Sequence, residues 1–192
     1  MTDQRSLEDR IRRLEDQAEI RQLVSRYCFV VDDRDLDGMA DCFTADGRFR
    51  SADGVMDAQG RDAIIEQYHG RFAVLGPGIH VTHDHVVDFD ESDADRATGR
   101  VSCSAELVRL GKPMLVALRY HDEYRRDADG RWRFSDRLLL FFYYLDAHEY
   151  ADALGSLQRN RAYAAPAAAD FPEQLDSWQR YYADHPVEVA PG

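Results

Sequence analysis

The sequence predicts an α+β domain, with helices in its first part and a mostly antiparallel sheet after them. In the first part, apolar residues recur at steps of three and four, which is the period of an amphipathic helix. From residue 79 the period changes to two, and turn residues separate four β-rich segments. We expect the helices to pack on one side of a curved sheet.

Three helices and a short strand are expected before residue 75. The first helix covers residues 7–31, and Ser6 with Asp9 three residues later resembles an N-terminal cap. The segment "DDRDLDG" breaks this helix. The elements that follow are a second helix at 36–43, a strand around 47–51 and a third helix at about 60–74, which "GPG" ends.

Four strands complete the predicted sheet. They lie at 79–90, 96–110, 113–127 and 131–145. The segments "DESDAD", "LGKP" and "DADG" between them carry turn residues, and Asp-Gly is a strong hairpin signal. Consecutive strands with such short connections form an antiparallel meander.

The length of 192 residues fits one domain with a tail. We assign residues 1–146 to the domain and residues 147–192 to a C-terminal extension. The extension contains "AAPAAAD" and the aromatic run "WQRYYADHP". We expect it to form a short helix that contacts another subunit or covers the mouth of a pocket.

Composition excludes several classes of partner. The formal net charge of −12 argues against nucleic acid and against an anionic membrane, because phosphates demand a basic surface. No apolar run approaches the ~20 residues of a membrane span. The first residues lack the apolar core of a signal peptide, so the expected location is cytoplasmic. Three cysteines without metal-ligand spacing indicate buried thiols rather than disulfides.

The stretch "GIHVTHDHVVDF" contains three histidines in a predicted strand. Strict alternation places His80 on one face and both His83 and His85 on the other. The latter two could bind zinc only with a third ligand from elsewhere, and there is no HExxH motif. Alternatively, they are solvated or form hydrogen bonds across strands. His80, at the start of the strand, is the better candidate for chemistry.

A carboxylate at the end of the first helix is the natural partner for an imidazole. Tyr27 and Val31 lie on one face of this helix, and Asp32 is at its end. A His–Asp pair in a dry pocket acts as a general base, since the carboxylate fixes the tautomer and stabilises the imidazolium. Several other acids follow within five residues, so composition alone does not select one of them.

Several stretches together resemble one family. They are "LEDRIRRLEDQAEIRQLVSRYCFVVDDRDLDGMADCFTADGRF", "GRDAIIEQY", "IHVTHDHVVDFD" and "RYHDEYRRDADGRWRFSDR". Their succession, over roughly residues 7–146, is similar to the SnoaL-like branch of the NTF2-like superfamily, which includes dehydratases and dehydrochlorinases. The resemblance implies a cone-shaped barrel with an apolar cavity, no metal and no organic cofactor. It also implies a homo-oligomer, either a trimer or a dimer.

The same resemblance implies roles for individual residues. Asp32 and His80 match the catalytic pair, Tyr27 matches a tyrosine that binds substrate, and Arg137 matches an arginine near an anion or leaving group. Residues expected to contact a small cyclic hydrophobic substrate are Tyr120, Cys103, Phe43, Phe72, Leu118 and Phe141, with Phe29 and Leu75 as further apolar candidates.

One position departs from the pattern of the dehydratases. Cys103 lies nearest to the place of their second acid–base residue, and a neutral thiol is a poor acid. Either the leaving group needs no proton, as with halide, or His121, Tyr120 or Tyr27 supplies it.

The predicted function is a cofactor-independent lyase of the dehydratase or elimination type, or an isomerase. The alternatives are a non-catalytic module for small-molecule binding or oligomerisation, and the small subunit of a ring-hydroxylating dioxygenase. The latter two use the same fold without the chemistry.

Overall fold

A single six-stranded sheet dominates the computed structural model, which describes residues 6–163 and 165–186. The elements are α1 (Leu7–Asp32), α2 (Leu36–Asp41), β1 (Phe43–Ser51), β2 (Asp57–Gln59), α3 (Arg61–Phe72), β3 (Leu75–Phe89), β4 (Arg96–Arg109), β5 (Lys112–Arg126), β6 (Trp132–Asp146), α4 (Tyr150–Ala153) and α5 (Asp176–Asp184). A 3₁₀ turn at Ala147–Glu149 precedes α4. The predicted α+β class is confirmed.

The strand order is β2-β1-β6-β5-β4-β3, so β2 and β3 form the two edges and the curved sheet stays open. The pairs from β3 to β6 form the expected antiparallel meander. In contrast, β1 pairs with β6 in parallel. We call the side of the sheet that faces α1 and α3 the inner face, and the opposite side the outer face.

Helix α1 begins where Ser6 caps it, since the Ser6 hydroxyl accepts the backbone N–H of Asp9 at 3.1 Å. Its first turns carry exposed apolar residues such as Leu14. From Ile20 onward one face is buried, and this half lies against β3 and β6. The helix therefore delivers its C-terminal end, and Asp32, to the inner face of the sheet.

Alternation along β5 separates the two faces. Leu118, Tyr120, Asp122 and Tyr124 are buried on the inner face, whereas Arg119 and its alternating neighbours face outward. Strand β4 follows the same rule, whereas the pairings of β3 and β6 contain register shifts. The inward residues of the long strands form one apolar core with α1 and α3. These inward residues lie on the side of the sheet where the resemblance implies a cavity.

The C-terminal extension first pairs with the backbone of β6, where Asn160 forms a bridge with Tyr144, and then packs on the outer face of the sheet. The Phe171 ring lies 5.7 Å from the ring of Phe142 on β6. Asp170 accepts the backbone N–H of Phe141, and the Arg159 guanidinium donates to the carbonyl of Phe142 at 2.7 Å. The extension continues into α5 beyond these contacts.

Several boundaries differ from those expected. Helix α2 ends at Asp41, and β1 starts at Phe43. The "GPG" segment does not break the chain but lies within β3, which begins at Leu75. Gly78 is required there because an added Cβ would lie 2.7 Å from the Cβ of Leu107. Strand β2, with three residues, had no signal in the sequence.

Candidate active site

The carboxylate of Asp32 and the imidazole of His80 are in direct contact. The Asp32 Oδ1 atom lies 2.6 Å from His80 Nδ1, and Asp32 Oδ2 accepts the backbone N–H of His80 at 2.8 Å. Their side chains are 16% and 15% exposed. A carboxylate that forms hydrogen bonds with both the ring and the backbone of one histidine fixes the orientation of the imidazole.

A tight turn after α1 holds this end of the helix against β3. Arg34 has a positive φ of 62°, and its guanidinium donates to the carbonyls of Val31 and Gly76 at 2.9 and 2.7 Å. The same guanidinium lies 4.1 Å from the centre of the Phe72 ring. Asp32 is thereby fixed two residues before a side chain that ties α1 to β3 and α3.

The sheet register surrounds His80 with small and apolar side chains. On the inner face, His80 is opposite Ala105, which is followed across the sheet by Val116 and Tyr144. The next row consists of Thr82, Cys103, Leu118 and Phe141. A substrate that contacts the imidazole would therefore lie on a largely apolar floor.

Arg137 is enclosed by aromatic rings on the same face. Its guanidinium carbon lies 4.1 Å from the centre of the Tyr27 ring, 3.7 Å from that of Tyr120 and 4.1 Å from that of Phe134. The Tyr27 hydroxyl in turn shares a hydrogen bond with that of Tyr68. Burial raises the pKa of Tyr27 well above its ordinary value, so this hydroxyl remains a neutral donor.

Asp122 is the counter-ion of Arg137. Arg137 Nε lies 3.2 Å from Asp122 Oδ1, and both side chains are fully buried. Within the described chain, none of the three guanidinium nitrogens has a hydrogen-bond partner of good geometry. Burial acts to lower the pKa of Arg137, but Asp122 and the nearby tyrosines outweigh it and raise it. Arg137 therefore stays charged, and its guanidinium N–H groups can donate to a ligand atom.

Two thiols meet between α1 and β4. Cys28 and Cys103 are buried, free thiols that lie beside each other, and Cys103 Sγ donates to the backbone carbonyl of Ser104 at 3.4 Å. The interaction between the two thiols, together with burial, raises the pKa of Cys103, and the same interaction lowers the pKa of Cys28. Cys103 is therefore a poor proton donor, as expected from its residue type.

The three histidines of β3 are not arranged as strict alternation predicted. A register shift between Thr82 and His85 turns His85 to the inner face, where its Nε2 lies 3.1 Å from the Tyr124 hydroxyl. Our assignment of His85 to the face of His83 was therefore wrong. His83 faces outward and forms a cross-strand hydrogen bond with Ser104 at 2.9 Å, one of the alternatives left open.

Three other candidates lie away from the pair. His121 alternates with the inward Tyr120 and faces outward, so it is wrong as a proton donor for this site. Phe29 is 68% exposed and cannot line an inner pocket. Phe43 is fully buried among aromatic rings, 5.4 Å from that of Phe134, and is a core residue. Phe72 and Leu75 are half-buried and pack against the core.

Sequence reasoning missed three residues of this region, Cys28, Tyr68 and Asp122. Nothing in the sequence indicated that Tyr68 on α3 would meet Tyr27 on α1. Asp122 could have been found, because it alternates with Tyr120 and Tyr124 in "RYHDEY". A carboxylate on the buried face of a strand needs a buried counter-charge.

Four clefts of about 250 to 450 Å³ are formed by other described residues, and neither Asp32 nor His80 lines them. In residues 6–163 and 165–186, no group of three or more acidic, histidine or cysteine side chains is placed to hold a metal ion. Within the same ranges, no helix is long and apolar enough to cross a membrane.

Comparisons with known proteins agree with the resemblance. The family described as the SnoaL-like domain matches residues 12–138. Among solved structures, a hexachlorocyclohexane dehydrochlorinase, LinA of type 2, is 25% identical, covers 69% of this chain and 89% of its own, and has a TM-score of 0.62. No curated protein matches the chain.

Two similar structures come from Novosphingobium aromaticivorans. A candidate scytalone dehydratase is 22% identical, covers 71% of this chain and 90% of its own, and has a TM-score of 0.63, which shows the fold alone. A candidate aromatic ring hydroxylase is 27% identical, with 67% and 90% covered and a TM-score of 0.61. The expected NTF2-like architecture is confirmed.

Proposed function

Because the chain belongs to the SnoaL-like family, we propose that it is a cofactor-independent lyase, or an isomerase, that acts on a small cyclic hydrophobic substrate. The observation that carries this proposal is the contact of 2.6 Å between Asp32 and His80. A family that includes lyases is the context in which such a pair acts as a base rather than as a structural ion pair.

In this proposal His80 removes a proton from carbon. Its Nδ1–H donates to Asp32, a tautomer that we assign from the hydrogen bond, so Nε2 is unprotonated and free to accept the substrate proton. The electrons of the C–H bond form a double bond as the leaving group departs with its own electron pair. The Asp32 carboxylate stabilises the imidazolium that results. In an isomerase the same proton would return to another carbon.

The negative charge that develops is assigned to Arg137 and Tyr27. The unused guanidinium donors of Arg137 support this role, as does the neutral Tyr27 hydroxyl. Positioned donors of this kind stabilise charge that appears in the transition state. Tyr120 encloses the same guanidinium. Leu118 and Phe141 would contact the apolar ring of the substrate.

The environment of Cys103 favours one class of leaving group. Interaction with Cys28 and burial raise the pKa of the Cys103 thiol, which makes it a poor acid for a departing hydroxide. We therefore propose a leaving group that departs as a stable anion, as halide does in a dehydrochlorinase. A dehydration would instead need Tyr120 or Tyr27 as the acid.

The test is turnover of halogenated cyclohexanes and of cyclic hydroxy-ketones by the wild-type chain and by Asp32→Asn and His80→Gln variants. We expect each variant to lose about 10²–10⁴-fold in kcat/KM, the usual value of general-base help. Circular dichroism verifies that the variants are folded. The matched control is His83→Gln, which changes an exposed histidine of the same strand and should lose less than about two-fold.

Three results would contradict this proposal. Equal losses at His80 and His83 would show that the pair has no special role. Tight binding of a cyclic ligand without turnover, unaffected by Asp32→Asn, would indicate a binding module. Stable co-purification with an iron–sulfur subunit would instead indicate a dioxygenase small subunit, and the similarity to a candidate ring hydroxylase makes this control necessary.

A further inference from the structure

Three basic side chains lie side by side on the outer face of the sheet. Arg100 on β4 is directly opposite His121 on β5, and in the next row Ser102 is opposite Arg119. Side chains in neighbouring rows and strands are close enough to interact. This block forms one wall of a cleft of about 320 Å³, which we call the outer cleft.

The block is not neutralised by the protein itself. In the described part of the chain, no carboxylate lies within ion-pair distance of Arg100 or Arg119. Asp84 is the one acid among the residues that line the cleft. Burial, Arg100 and Arg119 together lower the pKa of His121. The charge of the block therefore comes from Arg100 and Arg119, which are diagonal neighbours, and their grouping in a chain of net charge −12 points to an anion between them.

The remaining walls of the outer cleft are apolar and come partly from the C-terminal extension. Phe171 and Leu175 of the extension face Val86 and Leu140 of the sheet. The guanidinium of Arg119 lies 4.3 Å from the centre of the Phe171 ring. An arginine held on an aromatic face presents its edge to a ligand, and a planar carboxylate matches that edge with two parallel hydrogen bonds.

We propose that the outer cleft is a second binding site, which takes a small organic carboxylate with a flat apolar body. Arg100, Arg119 and His121 would bind the carboxylate of the ligand. Its apolar body would pack against Phe171, Leu175 and Leu140. The volume of about 320 Å³ lies at the lower end of the range for small-molecule sites. The site is independent of the Asp32–His80 pair, which is on the inner face.

The experiment uses the full chain and follows the His121 ring by NMR during titration with benzoate. We expect saturable binding and a rise in the pKa of His121 of about 0.5 unit or more, because a bound carboxylate favours the imidazolium. Arg119→Gln should weaken benzoate at least about ten-fold, the effect of losing one charge-assisted pair. The matched control is Arg12→Gln, an exposed arginine on α1, which should leave the titration unchanged.

Two further ligands test whether the outer cleft selects aromatic carboxylates over neutral aromatic compounds and inorganic anions. Benzamide, which has the same ring and no charge, should bind at least about ten-fold more weakly than benzoate. Sulfate should compete weakly, since it gains nothing from the apolar wall. The proposal is overturned if sulfate binds as tightly as benzoate, which would mean a site for inorganic anions only. It is also overturned if benzoate does not shift His121, or if Arg12→Gln weakens binding as much as Arg119→Gln does.

Discussion

Arg137 and Asp122 are opposite charges in a part of the core where desolvation is most expensive. Burial raises the pKa of Asp122 to about 6, although Arg137 acts in the other direction. An ordinary carboxyl loses its proton near pH 4. Between about pH 4 and 6 the folded chain therefore retains a proton that the unfolded chain has lost. The contribution of this group to the free energy of unfolding must fall as pH rises through that window.

Asp122→Asn should remove that pH dependence. Between about pH 4 and 6, we expect the free energy of unfolding of the wild type to fall relative to that of the variant by roughly 2–3 kcal/mol, since each pKa unit is worth about 1.4 kcal/mol. Urea unfolding at several pH values measures both curves.

His85→Gln provides a control of opposite sign. Burial, Arg21 and Arg137 lower the pKa of His85 to about 4. The contribution of neutral His85 to the free energy of unfolding is therefore present above about pH 6.5 and is lost as the pH falls toward 4. The variant should lose less stability than the wild type on acidification, by about 1–2 kcal/mol after allowance for partial exposure. If the free energies of unfolding of the wild type and Asp122→Asn changed in parallel with pH, Asp122 would not have the raised pKa assigned to it.

The individual site residues that could be predicted from the sequence were those that matched a residue type and a family pattern. The resemblance paired Asp32 with His80, and the structure has them in contact; their catalytic role stays a prediction. It also selected Arg137, but it carried no information on Asp122. Which carboxylate neutralises a buried arginine depends on the register of two strands, which no local pattern encodes.

At the scale of single elements, one extra residue in β3 made the predicted inner and outer faces wrong, whereas errors in the helix and strand boundaries had smaller consequences. Alternation assigned the inner and outer faces correctly as far as Thr82, and it failed after the register shift that precedes His85. A bulge reverses the alternation of every later residue in its strand. No particular residue type marks a bulge, so the second half of β3 could not be predicted from its sequence.

The turn between α1 and α2 allows a test of how elements position the pair. Arg34→Ala removes the hydrogen bonds to Val31 and Gly76 but keeps the strained φ, and we expect a loss of about 1–3 kcal/mol in the free energy of unfolding. Arg34→Gly removes the same bonds and relieves the strain, so it should lose about 1 kcal/mol less. Chemical denaturation measures the difference.

The same variants should alter the environment of His80. We expect its ring signals to shift in both Arg34 variants, because the turn no longer fixes Asp32 against β3. Arg34→Lys retains the charge near Phe72 but cannot bond both carbonyls, and its signals should be intermediate. Unchanged His80 signals in all three variants would mean that the turn does not position the pair.

For the whole molecule, the sequence was sufficient for class and meander but not for sheet order. The antiparallel strands β3 to β6 follow one another along the chain, so turn signals alone predicted their pairing. The parallel pairing of β1 with β6 joins residues far apart, for example Phe49 with Arg137. It places the inward face of β1 next to that of β6, and thus closes one side of the core.

The C-terminal extension is the part of the molecule that neither period nor turn signals described. The family match ends at residue 138, before the extension begins. Its contacts are nevertheless specific, since Arg159 is 2% exposed and bonds both Glu173 and the carbonyl of Phe142. We expect this segment to stabilise β6 from the outside and to influence either assembly or ligand affinity.

Truncation after Leu154 tests this expectation. The shortened chain should still fold, because the buried members of the inner core other than Ala162 precede residue 155, but it exposes Phe142 and removes the buried Phe171. Loss of one buried aromatic side chain and its neighbours should lower the free energy of unfolding by at least about 2 kcal/mol. Thermal unfolding, size-exclusion chromatography and ligand titration measure stability, oligomer size and affinity.

A chain cut after Pro186 retains every contact described for the extension and is the matched control. If the two truncated chains unfold alike, assemble alike and bind ligand alike, the extension has no such role.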